Sequence, residues 1–126
     1  MWDYVAIGVG SALGGVARYA CSGAVAHRFG ERFPWGTLVV NVLGSFVIGF
    51  FASLAAVDPA VRRFVTIGFC GGYTTFSSFS LQTLALARDG DWRPAAGNIA
   101  ASVLLCLAAA WLGHAAAAAL ALTEGP

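Results

Sequence analysis

Lysine is missing from this 126-residue chain, and all seven basic residues are arginines. Six acidic residues bring the net charge to +1, so there is no clustered basic surface of the kind a nucleic-acid partner requires. Neither end carries a run of like charge. Charged residues are too few for an ordinary soluble surface: they make up 10% of the chain against 59% hydrophobic residues, with a mean hydropathy of +0.77. The composition is that of a membrane protein.

Other scarcities narrow the class. Prolines occur only at 34, 59, 94 and 126, positions expected to lie in connections or at the end, where a missing N–H costs least. Cys21, Cys70 and Cys106 form no C-x-x-C pair and have no histidine at ligand spacing. They read as small hydrophobes, and His27 and His114 do not suggest a metal site. GVGSALG, residues 8–14, lacks the spacing of a dinucleotide fingerprint and follows no strand. The N-terminus lacks the basic region of a signal peptide, and its apolar run reads as a retained span. No catalytic constellation is present, so the chain does not read as an enzyme.

The most informative absence is acidic. Asp3, Glu31, Asp58, Asp89, Asp91 and Glu124 all fall in connections or near an end, leaving no buried carboxylate to carry a proton or cation. A small exporter of cationic drugs is expected to hold one inside the membrane.

What is present is four apolar stretches, each long enough for a hydrocarbon core that needs about 20 helical residues. They run over residues 5–26, 37–57, 63–87 and 95–122. The connections are short, so residues 1–126 form a single four-helix transmembrane domain. Trp2, Trp35 and Trp92 flank the spans as interfacial anchors would. Arg62 and Arg63 lie on the side that holds both termini, with Arg28, Arg32, Arg88 and Arg93 opposite. Two against four is a weak orientation signal, compatible with one orientation or with insertion both ways.

Three places inside the spans stand out. Arg18, in GVARYA, either snorkels to the interface or faces a wet vestibule that attracts anions. Asn41, in LVVNVLGSF, needs a polar partner in hydrocarbon, as helix glue or as an N–H donor to an anion. The third segment holds GFCGGYTTFSSFSLQT, in which Gly71-Gly72 followed by β-branched Thr74 and Thr75 predicts a broken helix near 71–75. Unwound backbone is tolerated in a bilayer only where it is buried or lines water, and its freed carbonyls suit a small cation. Phe76, Phe79 and Thr83 then share a helical face, either for packing or for an anion path bounded by the positive edges of the rings. Glycine pairs at 10 and 14, 44 and 49, and 68 and 72 offer surfaces for close helix contact.

GFCGGYTTFSSFSLQT, with GGVARY in the first span and NVLGSFVIG in the second, closely resembles the Fluc (CrcB) fluoride channels over nearly the whole chain. The resemblance implies an antiparallel dual-topology homodimer in a bacterial-type plasma membrane, with two fluoride pores and a central structural sodium ion. It implies that the carbonyls of Gly71 and Thr74 from both subunits hold the sodium. Phe76 and Phe79 become the pore phenylalanines, Asn41 the amide donor near them and Arg18 the arginine of the first span. Thr75, Ser78 and Ser102 become hydroxyls along the pathway. Many relatives have threonine at Ser78, glutamate at Gln82 and tyrosine at Asn98, so a charge and a phenol are lost here. Hydrogen fluoride enters cells uncharged and dissociates in a more alkaline cytoplasm; a passive leak releases the trapped anion without ATP or an embedded acid. The alternatives are a small dual-topology multidrug-type transporter and a non-transporting membrane assembly subunit.

Overall fold

The computed structural model describes residues 1–123; Glu124 and Pro126 lie outside the described residues. All regular elements of the described chain are helices, and three of them are long and apolar enough to cross a membrane: α1 (Trp2–Phe29), α2 (Trp35–Ser53) and α6 (Trp92–Thr123). Each begins on one of the tryptophans, and Trp2 and Trp92 are 85% and 69% exposed, as interfacial anchors should be. The second helix stops at Ser53, four residues short of the expected Val57, because Leu54 turns extended and its carbonyl receives the Arg62 guanidinium.

The third apolar stretch is divided. It starts with α3 (Pro59–Arg63), where the Asp58 carboxylate accepts from the N–H groups of Ala60 at 2.8 Å and Val61 at 3.3 Å. Pro59 occupies the first turn, where it has no hydrogen bond to lose. Pro94 likewise sits in the first turn of α6, so both prolines belong to helix starts rather than to the connections expected for them. A π-helical run, Phe64–Phe69, continues the winding, with the Cys70 N–H reaching back five residues to the Val65 carbonyl. After α4 (Cys70–Tyr73), Thr74 and Thr75 are extended, and α5 (Phe76–Arg88) follows.

The break therefore falls at Thr74 and Thr75, and the Gly71-Gly72 pair stays helical, contrary to the expectation that unwinding begins there. Close packing accounts for Gly72: a Cβ there would run into the Ser11 backbone. Gly10 and Gly14 meet the backbone of the π-helical run in the same way, and Gly49 and Gly113 let α2 and α6 approach each other. The buried positions of α6 are small or polar: Ala95, Asn98, Ser102, Ala109, Gly113 and Ala117. With lipid as apolar as leucine, such close approach is what holds spans together.

The chain ends sort onto two faces. An ion pair between Asp3 and Arg63 at 3.1 Å joins the starts of α1 and the third stretch. Near that level Ser53 Oγ donates to the Gly49 carbonyl at 2.7 Å and so accepts from His114 Nδ1 at 2.9 Å, tying the end of α2 to α6. Residues 30–34, Asp89 and Asp91 border one common cavity at the opposite end, and Gly30 and Gly90 take positive φ in these turns. Gly72→Ala should lower the thermal unfolding midpoint of detergent-solubilised protein, at a cost of about 1–3 kcal/mol of overpacking. Gly97→Ala, where nothing lies within 4 Å of the added carbon, should not lower it.

Candidate functional site

The extended pair Thr74-Thr75 is held by a side chain 34 residues away. Asn41 Oδ1 accepts from the Thr75 N–H at 2.8 Å, and Asn41 Nδ2 donates to the Thr75 carbonyl at 3.1 Å. One amide thus satisfies both backbone groups of a residue that has left the helix, as an apolar surrounding demands. Gly44, one turn on, makes room for it, since a Cβ there would strike the Thr74 side chain. The Arg18 guanidinium donates to the Thr74 carbonyl at 3.3 Å, so this half-buried arginine turns inward to the break rather than to the interface.

Thr75 also starts the next helix. Its hydroxyl accepts from the Ser78 N–H at 3.1 Å and donates to Ser78 Oγ at 3.0 Å, with Ser77 Oγ 3.2 Å away. At the other side of the break, the Thr75 N–H that would have reached the Gly71 carbonyl is spent on Asn41, leaving that carbonyl without a helical partner. Nothing lies within 4 Å of a Cβ added at Gly71, so this part of the break opens outward.

Two cavities flank Thr75. An open vestibule of about 970 Å³ is bordered by Arg18, Ser22, Thr37, Thr75, Ser78 and Gln82, with Glu31, Arg32, Asp89 and Asp91 toward its mouth. A narrower groove of about 390 Å³ is bordered by Asn41, Ser45, Thr74, Thr75, Phe76, Phe79, Ser102 and Cys106. Thr75 borders both and is itself buried. The rings of Phe76 and Phe79 stand 5.3 Å apart, tilted by 45°, and Phe76 is 79% exposed although it borders a groove that also holds polar groups.

Every pathway residue expected from the sequence borders one of these cavities. Arg18 and Ser78 are in the vestibule, Asn41, Phe76, Phe79 and Ser102 in the groove, and Thr75 between them. Gln82 shares the vestibule, with its side-chain oxygen buried and unpartnered among the described residues. Thr83 points elsewhere, to the Phe79 carbonyl at 2.7 Å and to Asn98 at 2.8 Å. Ser80 turns its hydroxyl back to the Phe76 carbonyl at 2.9 Å. Ser45 was not foreseen; its position one turn after Asn41 in NVLGS was the available signal. Ser22 and Thr37 were likewise missed, because their neighbourhood depends on how α1 meets α2.

A family model described as CrcB-like protein, Camphor Resistance (CrcB), matches residues 5–114. A relative from Opitutus terrae, named Fluoride-specific ion channel FluC, is 59% identical over 97% of both chains. Proteins of the same name from Methylocella silvestris and Paramagnetospirillum magneticum are 55% and 54% identical, over 98% and 93% of this chain and 98% and 96% of theirs. If the Asn41 amide is what holds the break, Asn41→Val should speed hydrogen exchange at the Thr75 amide about five- to tenfold, the worth of one buried hydrogen bond. Amides in the middle of α2 should keep their rates.

Proposed function

The chain belongs to the CrcB-like protein family, and on that premise we propose that it is a fluoride-selective channel giving passive export of cytoplasmic fluoride. It is a multi-pass protein of the bacterial-type plasma membrane and not an enzyme. The single observation that carries the reading is the shared wall at Thr75: a wide polar vestibule with an inward arginine and a narrow aromatic groove adjoin at one buried hydroxyl-bearing residue.

Each group has a part in moving a small anion. Arg18 raises the local anion concentration in the vestibule. Fluoride then gives up water in exchange for hydroxyl donors, first Ser78, whose oxygen the Thr75 O–H already holds in place, later Ser45 and Ser102. The positive ring edges of Phe76 and Phe79 hold it without a formal charge. Weak contacts at several successive places favour leaving as much as entering, which conduction requires. Asn41 keeps one Nδ2 hydrogen beyond the bond to Thr75, and this is the amide donor available to the groove.

The groove is half a pore. α5 has no buried residue, Phe76 lies bare and Gly71 opens outward, so a second copy set antiparallel against this face would close it. In that dimer α3 to α5 act together as a fourth, broken crossing, since α5 with 13 residues is too short to span alone. The nearly balanced arginines suit dual topology. Sodium fits the break as a hard cation that prefers oxygen ligands. The Gly71 carbonyl lacks its helical partner, and the Thr74 carbonyl keeps a lone pair beyond the one facing Arg18. Held there by these carbonyls from both subunits, it would supply a fixed positive charge where the helices are interrupted. A multidrug-type exporter is disfavoured because the carboxylates among the described residues lie in first turns or connections.

Protein reconstituted in liposomes should release fluoride and not chloride when potassium ionophore clamps the voltage. Equal chloride release would refute selectivity, and no flux of either ion would favour an assembly subunit. Phe76→Ile or Phe79→Ile should cut fluoride flux about tenfold or more, equivalent to about 1.4 kcal/mol of lost anion stabilisation, with the dimer intact by size-exclusion chromatography. Reporters fused to the C-terminus should signal from both sides of the membrane.

A further inference from the structure

One buried polar group has no part in that path. Asn98 on α6 is 2% exposed and borders neither cavity. Its amide lies between Thr83 of α5 and Ser102, one turn further along its own helix. Asn98 Nδ2 donates to Thr83 Oγ1 at 2.8 Å, Thr83 Oγ1 donates to the Phe79 carbonyl at 2.7 Å, and Ser102 Oγ donates to Asn98 Oδ1 at 3.4 Å. Thr83 fixes these directions. A carbonyl can only accept, so the Thr83 proton goes to Phe79 and the Thr83 oxygen must receive the Asn98 N–H. The Asn98 oxygen is thereby left facing Ser102.

The outcome for the groove is a matter of sign. With its proton turned to Asn98, Ser102 shows the groove its lone pairs, which repel an anion. Ser102 can serve fluoride only after its O–H rotates away from Asn98. The link to be broken is the longest of the three, so it is the one most easily given up. Asn98 keeps its bond to Thr83 throughout, ready to take the proton back.

We infer that Asn98 is a positioning residue that sets the resting direction of the Ser102 hydroxyl and so limits how tightly the groove holds an anion. This rests on the fluoride-channel reading. By competing for one donor, the amide keeps binding shallow and release easy. A phenol or an aliphatic side chain at 98 would offer Ser102 a different acceptor or none.

The test is a double-mutant cycle on the concentration of fluoride that half-saturates flux, measured with the full chain in liposomes. Asn98→Leu, which keeps bulk and removes the acceptor, should lower that concentration about two- to tenfold, the worth of one hydrogen bond, with a lower maximal flux. In a Ser102→Ala background the same substitution should cause no shift, because there is no hydroxyl to release. An equal shift in both backgrounds would make Asn98 a mere tie between α5 and α6, and no shift in either would likewise overturn the inference. If Asn98→Leu does not assemble by size-exclusion chromatography, Asn98→Ala removes the acceptor without bulk and is read the same way. Absence of fluoride flux from the unmutated chain would overturn the channel reading together with this inference. Flux without coupling would overturn this inference alone.

Discussion

A residue that leaves its helix inside a membrane must find new partners for its N–H and its carbonyl, and the architecture around the candidate pore follows from how Thr75 does so. Asn41 supplies both partners from a single amide. Because that amide is planar and fixed on α2, it sets the distance between α2 and the break, and Gly44 is small so that the distance can be reached; Gly72 is small for another neighbour, the Ser11 backbone of α1. The start of α5 depends on the same residue: with its backbone pinned, the Thr75 hydroxyl is free to cap the helix at Ser78. Phe76 and Phe79 take their places from that cap.

The rest of the molecule is rigid support with little bulk. α2 and α6 meet through glycine and alanine, and α1 meets the π-helical run the same way. Large side chains are turned outward, which in a soluble protein would be a fault and in lipid is the rule. Polar groups inside are few and nearly all engaged: Ser11 on the Gly68 carbonyl, Tyr73 on Cys21, Asn98 on Thr83.

Much of this was legible in the residues, and the parts that were not have physical causes. Span positions and interfacial tryptophans follow from hydropathy, which depends on local composition alone. The break lies within the expected 71–75 stretch but only at its end, at Thr74-Thr75, because propensity sees poor helix formers at Gly71-Gly72 and cannot see Ser11 packed against Gly72 or Asn41 competing for the Thr75 N–H. The π-helical run over Phe64–Phe69 had no signature, since its residues would serve an α-helix as well. Asn41 was readable as an amide in need of a partner, but the partner is 34 residues distant and emerges only from packing. Roles for Phe76, Phe79 and Ser102 came from resemblance; spacing alone was equally consistent with helix contacts.

The meeting of both cavities at Thr75 has an electrical consequence. An aqueous vestibule carries the potential of the bulk solution inward with little loss, so the voltage across the membrane does not fall evenly along the 30 Å or so of hydrocarbon. On the proposed path it would be concentrated on the short stretch from Thr75 through the aromatic groove. Each 100 mV is worth about 2.3 kcal/mol to a monovalent ion that crosses all of it. On the proposed path nearly the whole of that work would be done on fluoride within a few side chains, so the thinnest dielectric in the protein would coincide with the place where the anion has the least water.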